Sequence, residues 1–305
     1  MKIKFWGVRG SIPCPGPLTM KYGGNTPCLE VRFPDIDRLI IIDAGSGIRE
    51  LGNFMMKHDL PKGPIQTEIF LSHTHWDHIM GFPFFTPIYI PGSRVKVYGP
   101  VSYEQDTLEK IVGGQLTYRY FPVRGEELGA SITYIDLKEG EFDLGDGIRL
   151  TTKYLNHPIL CLGYRFEYQG KVLCTAYDTE PFRNLFITDP AHPSYDEAMA
   201  REGELVAREQ NEVLEKFVAG ADLLIYDCQY TRAEYETGKA GWGHSYFEYV
   251  CPMAIRSKVK ALALFHHEPM RTDNQIDELA KKHCRNGEQG ATEIFFAREG
   301  MEITL

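Results

Sequence analysis

The chain has 305 residues, 43% hydrophobic and 25% charged, with a net charge of −9. That is the balance of an ordinary soluble globular protein, and its acidity argues against a protein that grips nucleic acid through many phosphates, which needs a basic face. No apolar run approaches membrane-spanning length, Met1–Gly7 lacks the long apolar segment of a secretory leader, and seven scattered cysteines without a Cys-x-x-Cys pair point to free thiols used as small core residues rather than a disulfide framework. A cytoplasmic enzyme is the default expectation. The length suits one large domain or two small ones, and because no linker divides the chain a single domain over 1–305 is expected.

In chain order, Ile3 to Val8 alternates as a first strand and Arg9–Pro17 is a rigid, helix-breaking loop. Tyr22-Gly23-Gly24-Asn25-Thr26 reads as a tight turn. Leu29–Phe33 is a half-buried strand, and Leu39–Ile42 runs apolar into Asp43, with a short helix over 48–57 beyond it. Asp43 has two readings, a group orienting a metal ligand or a cap of the following turn. The apolar Ile69-Phe70-Leu71 leads into Ser72-His73-Thr74-His75-Trp76-Asp77-His78, which places three imidazoles and a carboxylate within six positions on a strand-to-helix turn. A turn there lets His73 and His75 converge on one point while Asp77 and His78 reach a second. Buried without a cation, so many polar groups would be costly, and neutral imidazoles and carboxylates are ligands for borderline divalent metals.

Further on, Arg94–Gly99 is a strand and Tyr103–Ile111 a helix. The irregular stretch 113–129, with Tyr118, Arg119, Tyr120, Phe121 and Arg124, either walls a pocket or packs onto the body. Ile148–Tyr154 is a strand ending near His157, and Leu162–Tyr168 with Lys171–Ala176 form a hairpin that delivers Asp178. The helix over 196–219 has a stripe of Val206, Val213, Leu214, Phe217 and Val218. Leu223–Tyr226 is a strand ending at Asp227. A helix over 247–256 follows, and then Ala261–Phe265, a buried strand ending at His266-His267. Thr272–Gln275 is a capping box for a helix through Cys284, and Ile294–Phe296 with Glu302–Thr304 close the chain as a hairpin. The two halves are each strand-rich and end in helices, which suits two sheets face to face with helices outside.

His157, Asp178, Asp227 and His266 share one property with the histidine turn: each lies where a strand stops. The string His73-Thr74-His75-Trp76-Asp77-His78 followed by His157, Asp178 and His266 resembles the metallo-β-lactamase superfamily, and the matched positions span Asp43 to His266. The resemblance implies an α+β fold, a four-layer αββα sandwich of two mixed sheets, and two divalent metal ions, zinc foremost, with manganese or iron also accepted by such ligands. One ion would take His73, His75 and His157, the other Asp77, His78 and His266, with Asp178 and a hydroxide bridging them. His266 is preferred over His267 because it directly follows the apolar strand.

Leu224-Ile225-Tyr226-Asp227 followed by Gly241-Trp242-Gly243-His244-Ser245 is similar to the phosphodiesterase branch, which includes tRNA 3′-end endonucleases. There an acidic residue pairs with a His that acts on the leaving group; here Asp227 stands where those enzymes typically have Glu. The implied catalytic residues are Asp77, His244 and Asp227. The wording around the motifs resembles a bacterial group that includes cyclic-nucleotide phosphodiesterases, so a small phosphodiester, foremost a 3′,5′-cyclic nucleotide, is the expected substrate. Neither a membrane nor extended nucleic acid is an expected partner, and a homodimer is left open. The alternatives are a tRNA 3′-processing endonuclease and a thiolester or lactam hydrolase of the same fold.

Overall fold

The computed structural model describes residues 1–100, 106–287 and 291–305. Two seven-stranded sheets face each other. In spatial order the first holds Glu302–Thr304, Lys2–Gly7, Cys28–Phe33, Arg38–Ile42, Gln66–Phe70, Arg94–Pro100 and Ser131–Leu137. The second holds Glu293–Phe296, Ala261–Phe265, Leu223–Asp227, Lys171–Ala176, Leu162–Tyr168, Arg149–Tyr154 and Gly140–Asp143. Each sheet contains a run of four parallel strands, from Arg38–Ile42 to Ser131–Leu137 in one and from Lys171–Ala176 to Glu293–Phe296 in the other. Parallel strands are covered on both faces, which is why Leu39–Ile42 and Leu223–Tyr226 are continuous apolar runs rather than alternating ones.

Three apolar layers hold the stack. Between the sheets, Phe70 stacks on Tyr98 at 4.5 Å and meets Tyr164 and Phe166 edge-on at 5.6 and 5.4 Å. Outside the first sheet, Ile48, Leu51 and Met55 of the helix Ile48–His58 pack on Ile41 and Ile69. Outside the second, Leu214 and Val218 of Glu197–Val218, Val250 and Met253 of Phe247–Arg256, and Ile276 of Asp273–His283 pack on Leu224, Tyr226 and Leu264. The expected four-layer sandwich is therefore the fold. The capping box at Thr272 is formed, with Gln275 as its second member.

Three expectations need correction. Ile294–Phe296 and Glu302–Thr304 do not form a hairpin: the first runs parallel to Ala261–Phe265, the second antiparallel to Lys2–Gly7 in the other sheet. The link between them crosses from sheet to sheet, tied by Ala297 N–H to Leu264 O and Gly300 N–H to Phe5 O. In the helix Glu197–Val218 the buried residues are Gly203, Ala207, Leu214 and Val218, while Val206 and Val213 face solvent. The stripe is rotated because Gly203 lets the helix approach Asn184 and Phe186, where a Cβ would come within 2.1 Å of the Asn184 side chain. The helix expected over 103–111 is observed over Leu108–Val112 with Thr107 as its cap, and its expected start lies outside the described residues. The seven cysteines are unpaired; five are buried, while Cys14 and Cys284 are only partly covered. Among the described residues no helix is long and apolar enough to cross a membrane.

Because Phe70 packs in the layer shared by both sheets, Phe70→Ala is expected to cost about 3–5 kcal/mol. A fall in the urea midpoint with an unaltered slope measures it.

Candidate metal centre

The parallel strands of both sheets end at one edge, and the chemistry-bearing residues follow them directly. Asp43 comes after Ile42, Ser72 and His73 two and three residues after Phe70, Asp178 two residues after Ala176, and His266 after Phe265; Asp227 is the last residue of its strand. In open α/β sheets ligands gather at this carboxyl edge. Asp43, Asp178 and His266 also have positive φ, at 62°, 31° and 59°. Each is a left-handed turn that swings the side chain off the strand line toward the edge, at a backbone cost of order 1–3 kcal/mol that persists only where surroundings fix it.

Three groups of potential ligand atoms result, the third being Asp227, His244 and His266; the other two hold the residues of the histidine turn. His73, His75, His157 and Asp178 form one, and Asp77, His78, Asp178 and His266 the other, each with its atoms within 4.8 Å of one another. Asp178 belongs to both. Its Oδ2 lies 3.5 Å from His73 Nε2 and 3.9 Å from His157 Nε2, and its Oδ1 lies 3.3 Å from His78 Nε2 and 3.2 Å from His266 Nε2. Asp77 Oδ2 sits 3.2 Å from His266 Nε2 and 3.3 Å from His78 Nε2. The structure thus brings together every residue expected to bind metal, in the two sets expected.

The donor set fits divalent cations. His73 Nε2 and Asp178 Oδ1 are buried without a hydrogen-bond partner. His78 Nε2 and His266 Nε2 face each other at 3.3 Å, and His157 Nε2 and His75 Nδ1 at 3.1 Å. Two imidazole nitrogens so placed cannot each donate to the other. Ligands about 2.0–2.1 Å from a tetrahedral ion stand about 3.3 Å apart, the spacing found here.

The outer nitrogens decide which nitrogen faces inward. Asp43 accepts from His78 Nδ1 at 2.7 Å and from Ser72 N–H at 2.6 Å, so it orients a ligand rather than capping a turn. Ser72 Oγ also reaches His73 Nδ1 at 3.1 Å, Gly243 O takes His157 Nδ1 at 3.1 Å, and Gln229 Nε2 approaches His266 Nδ1 at 3.5 Å. Ser11 N–H donates to Asp77 Oδ2 at 2.7 Å. His267 turns away: its Nε2 donates to Ala297 O at 2.7 Å, so the ring reaching the cluster is that of His266. Two glycines make room. A Cβ on Gly10 would meet the His266 ring at 2.5 Å and one on Gly243 would meet His157 Nδ1 at 2.2 Å.

Electrostatics separates the two groups. Burial holds the imidazoles of His73, His75 and His157 below the ordinary histidine value, His157 at about 4, so their lone pairs are free at neutral pH. His78 goes the other way: burial opposes its charge, but Asp178, Asp77 and Asp43 together hold it well above that value. Burial likewise opposes the charge on Asp77 and Asp178, and the surrounding imidazoles overcome it and keep both carboxyls well below the usual range.

Beside the cluster lies the His244–Asp227 pair. His244 Nδ1 is 3.3 Å from Asp227 Oδ2, which also accepts from Ser245 N–H at 3.0 Å and Thr179 N–H at 3.3 Å. Burial disfavours the imidazolium, yet the Asp227 carboxylate raises His244 to about 9. Asp227 Oδ1 faces His266 Nδ1 at 3.7 Å, so this carboxylate touches both the cluster and His244. Sequence reasoning missed Ser72, Ser11, Gln229 and Glu180. Glu180 accepts from Tyr235 O–H at 2.7 Å and Gly241 N–H at 2.8 Å, which anchors the loop carrying His244. Its only signal was its place in Tyr177-Asp178-Thr179-Glu180. The stretch 113–129 packs onto the body through Leu116 and Phe121, which join the apolar layer under the histidine turn, and through Gln115 Nε2, which donates to Ile79 O at 3.2 Å, while Tyr118 and Tyr120 are exposed.

Elemental analysis of the purified protein is expected to find about two equivalents of metal, and Asp178→Ala to lose at least one. Asp43→Asn should weaken metal binding about 10–100-fold by freeing the His78 ring. Because the cation-free chain carries a proton on His78, metal uptake should release it and affinity should rise with pH. Titration calorimetry in buffers of different ionisation enthalpy reads both.

The comparisons agree with the geometry. A family model described as "Beta-lactamase superfamily domain" matches residues 38–194, just over half of the chain. Ribonuclease Z of Thermococcus sibiricus (strain DSM 12597 / MM 739) is 25% identical over 93% of this chain and 92% of its own length. Among solved structures, the short form of human tRNase Z superposes with a TM-score of 0.62 at 19% identity, covering 100% of this chain and 99% of that one. Unliganded yeast PDE1 superposes with a TM-score of 0.63 at 14% identity, with the same coverages. At these identities the two structures speak to the fold alone. The chain belongs to the β-lactamase superfamily and is a metal-dependent hydrolase of that fold.

Proposed function

We propose that this hydrolase is a dinuclear phosphodiesterase whose substrate is a small nucleotide, a 3′,5′-cyclic nucleotide foremost. The observation that carries the reading is the His244–Asp227 pair standing next to a two-set ligand cluster that shares Asp178. Thiolester cleavage does not need such a pair, because a thiolate leaves without a proton, whereas a phosphodiester with a poor alkoxide leaving group does.

Two divalent ions, zinc first, held by His73, His75, His157 and Asp178 on one side and Asp77, His78, Asp178 and His266 on the other, would supply Lewis acidity and an activated water. Asp77 and Asp178 place two negative charges against four positive ones, so the loaded site remains cationic and favours a phosphodiester monoanion. The chain's own contribution to bond breaking is the proton on His244. Its Nδ1 is turned to Asp227, which leaves Nε2–H to protonate the departing oxygen. Such general acid help is typically worth about 10²–10⁴ in rate.

A second reading, an RNA 3′-end endonuclease, is favoured by the name of the Thermococcus relative. Against it stand the net charge of −9 and an outer helix, Glu197–Val218, richer in Glu than in Lys or Arg. A basic face is what holds RNA.

His244→Ala is expected to keep its metals and lose turnover of diesters with poor leaving groups, by about 10²-fold or more, while activated aryl diesters suffer far less. Equal losses would remove the proton-donor role. Because the donor must be protonated, turnover should fall as pH rises through about 9, or lower once bound cations depress His244. A panel of cyclic nucleotides, precursor tRNA, a thiolester and a lactam decides the substrate; faster cleavage of precursor tRNA would favour the second reading.

A further inference from the structure

The chain has three tryptophans. Trp6 is tied into the body by a 2.7 Å hydrogen bond to Glu30. The other two are not: Trp76 is 80% and Trp242 56% exposed. Both lie on the segments that build the metal centre. Trp76 stands between His75 and Asp77. Trp242 precedes Gly243, whose carbonyl holds His157, and lies two residues before His244. Of the ligand residues, His75 is the most open to solvent, while His73, Asp77, His78, Asp178 and His266 are buried. The open side of the cluster is therefore at His75, whose ring is 4.9 Å from that of His157; Trp76 follows His75 at the start of the short helix Trp76–Ile79, and Trp242 lies on the loop whose Gly243 holds His157.

Lys239 adds a charge. Its Nζ lies 3.8 Å from the Trp242 ring and 5.7 Å from the Tyr230 ring, and Tyr230 is 6.1 Å from the ring of His244. Among the described residues no carboxylate pairs with Lys239, so its ammonium is held over aromatic faces with its charge uncompensated, and Tyr230 stands between it and His244. The hydrogen bonds of Glu180 to Gly241 and Tyr235 fix the loop that presents this group. Trp76 is four-fifths exposed and Trp242 more than half, so both leave indole surface open to a planar ring, and the ammonium over Trp242 suits an anion. Aromatic faces with neighbouring cations are how proteins take unpaired bases.

We propose that Trp242, Lys239 and Trp76 form a base-binding subsite at the mouth of the metal centre, so that the substrate is a phosphodiester carrying an unpaired nucleobase. The assignment rests on the phosphodiesterase reading for its chemistry. Its binding test does not depend on turnover. Calorimetry with adenosine 5′-monophosphate and with ribose 5-phosphate compares binding with and without the base. The wild-type protein should bind the nucleotide at least tenfold more tightly, and Trp242→Leu and Trp76→Leu should each shrink that advantage severalfold. Both side chains are exposed, so neither change threatens folding. In parallel, the KM for adenosine 3′,5′-cyclic phosphate should rise about tenfold or more in Trp242→Leu, with a much smaller change for the base-free sugar cyclic phosphate. Equal binding of nucleotide and sugar phosphate by the wild type, or equal changes for both ligands in the variants, would overturn the subsite. If no phosphodiester is turned over but the base advantage is present and lost in the variants, the subsite stands and the proposed reaction falls.

Discussion

Everything in this molecule turns on the burial of one carboxylate, Asp178, between two sets of imidazoles. A buried carboxylate is strongly disfavoured unless compensated. Here His78, held protonated by the carboxylates around it, and His266 face one oxygen, and the neutral His73 and His157 face the other, where a cation would supply the remaining charge. Those rings come from segments separated by nearly two hundred residues, so Asp178 can sit there only if both sheets end at a common edge. The fold and the site are thus one constraint: the parallel runs in the two sheets must finish in register for the charges to meet.

A second layer keeps the first from relaxing. Asp43, Ser72, Gly243 O and Asp227 occupy the nitrogens that face away from the cluster, and the left-handed turns at Asp43, Asp178 and His266 aim the side chains. The N-terminal loop closes the edge from another direction. Arg9 is fully buried, and its guanidinium donates to Gly23 O, Glu268 O and Arg271 O. It fastens this loop to the segment after His267 and brings Gly10 against His266 and Ser11 against Asp77. The link 297–301, which crosses between sheets, secures the same region from below. Asp227 links the ligand cluster to His244, since one oxygen faces His266 and the other His244.

Legibility followed how local each signal was. The histidine turn could be read because five of its seven residues are Ser, His or Asp in one short string after an apolar run. His157, Asp178 and His266 could be placed because each follows a strand and because the whole order resembles a known family. The Glu197–Val218 helix was legible as a helix but not in its orientation. Its apolar residues cover more than one stripe, and the close approach allowed by Gly203 chose among them. The final two strands looked like a hairpin because they are near in sequence; each instead completes the edge of a different sheet. Ser11 and Gln229 carry no local signal, since a serine or glutamine beside a histidine cluster looks like any other.

By itself, then, the sequence determined the element order, because apolar periodicity is a local property of the chain, and its resemblance to a known family implied the superfamily and the ligand types. Only the tertiary structure decided that Asp178 faces both ligand sets, that His266 rather than His267 turns inward, that Asp43 orients His78, and that Trp76 and Trp242 remain exposed. Those outcomes depend on which hydrogen-bond partners and which open faces meet at the shared sheet edge. That information belongs to contacts between distant segments and to no single stretch of the chain.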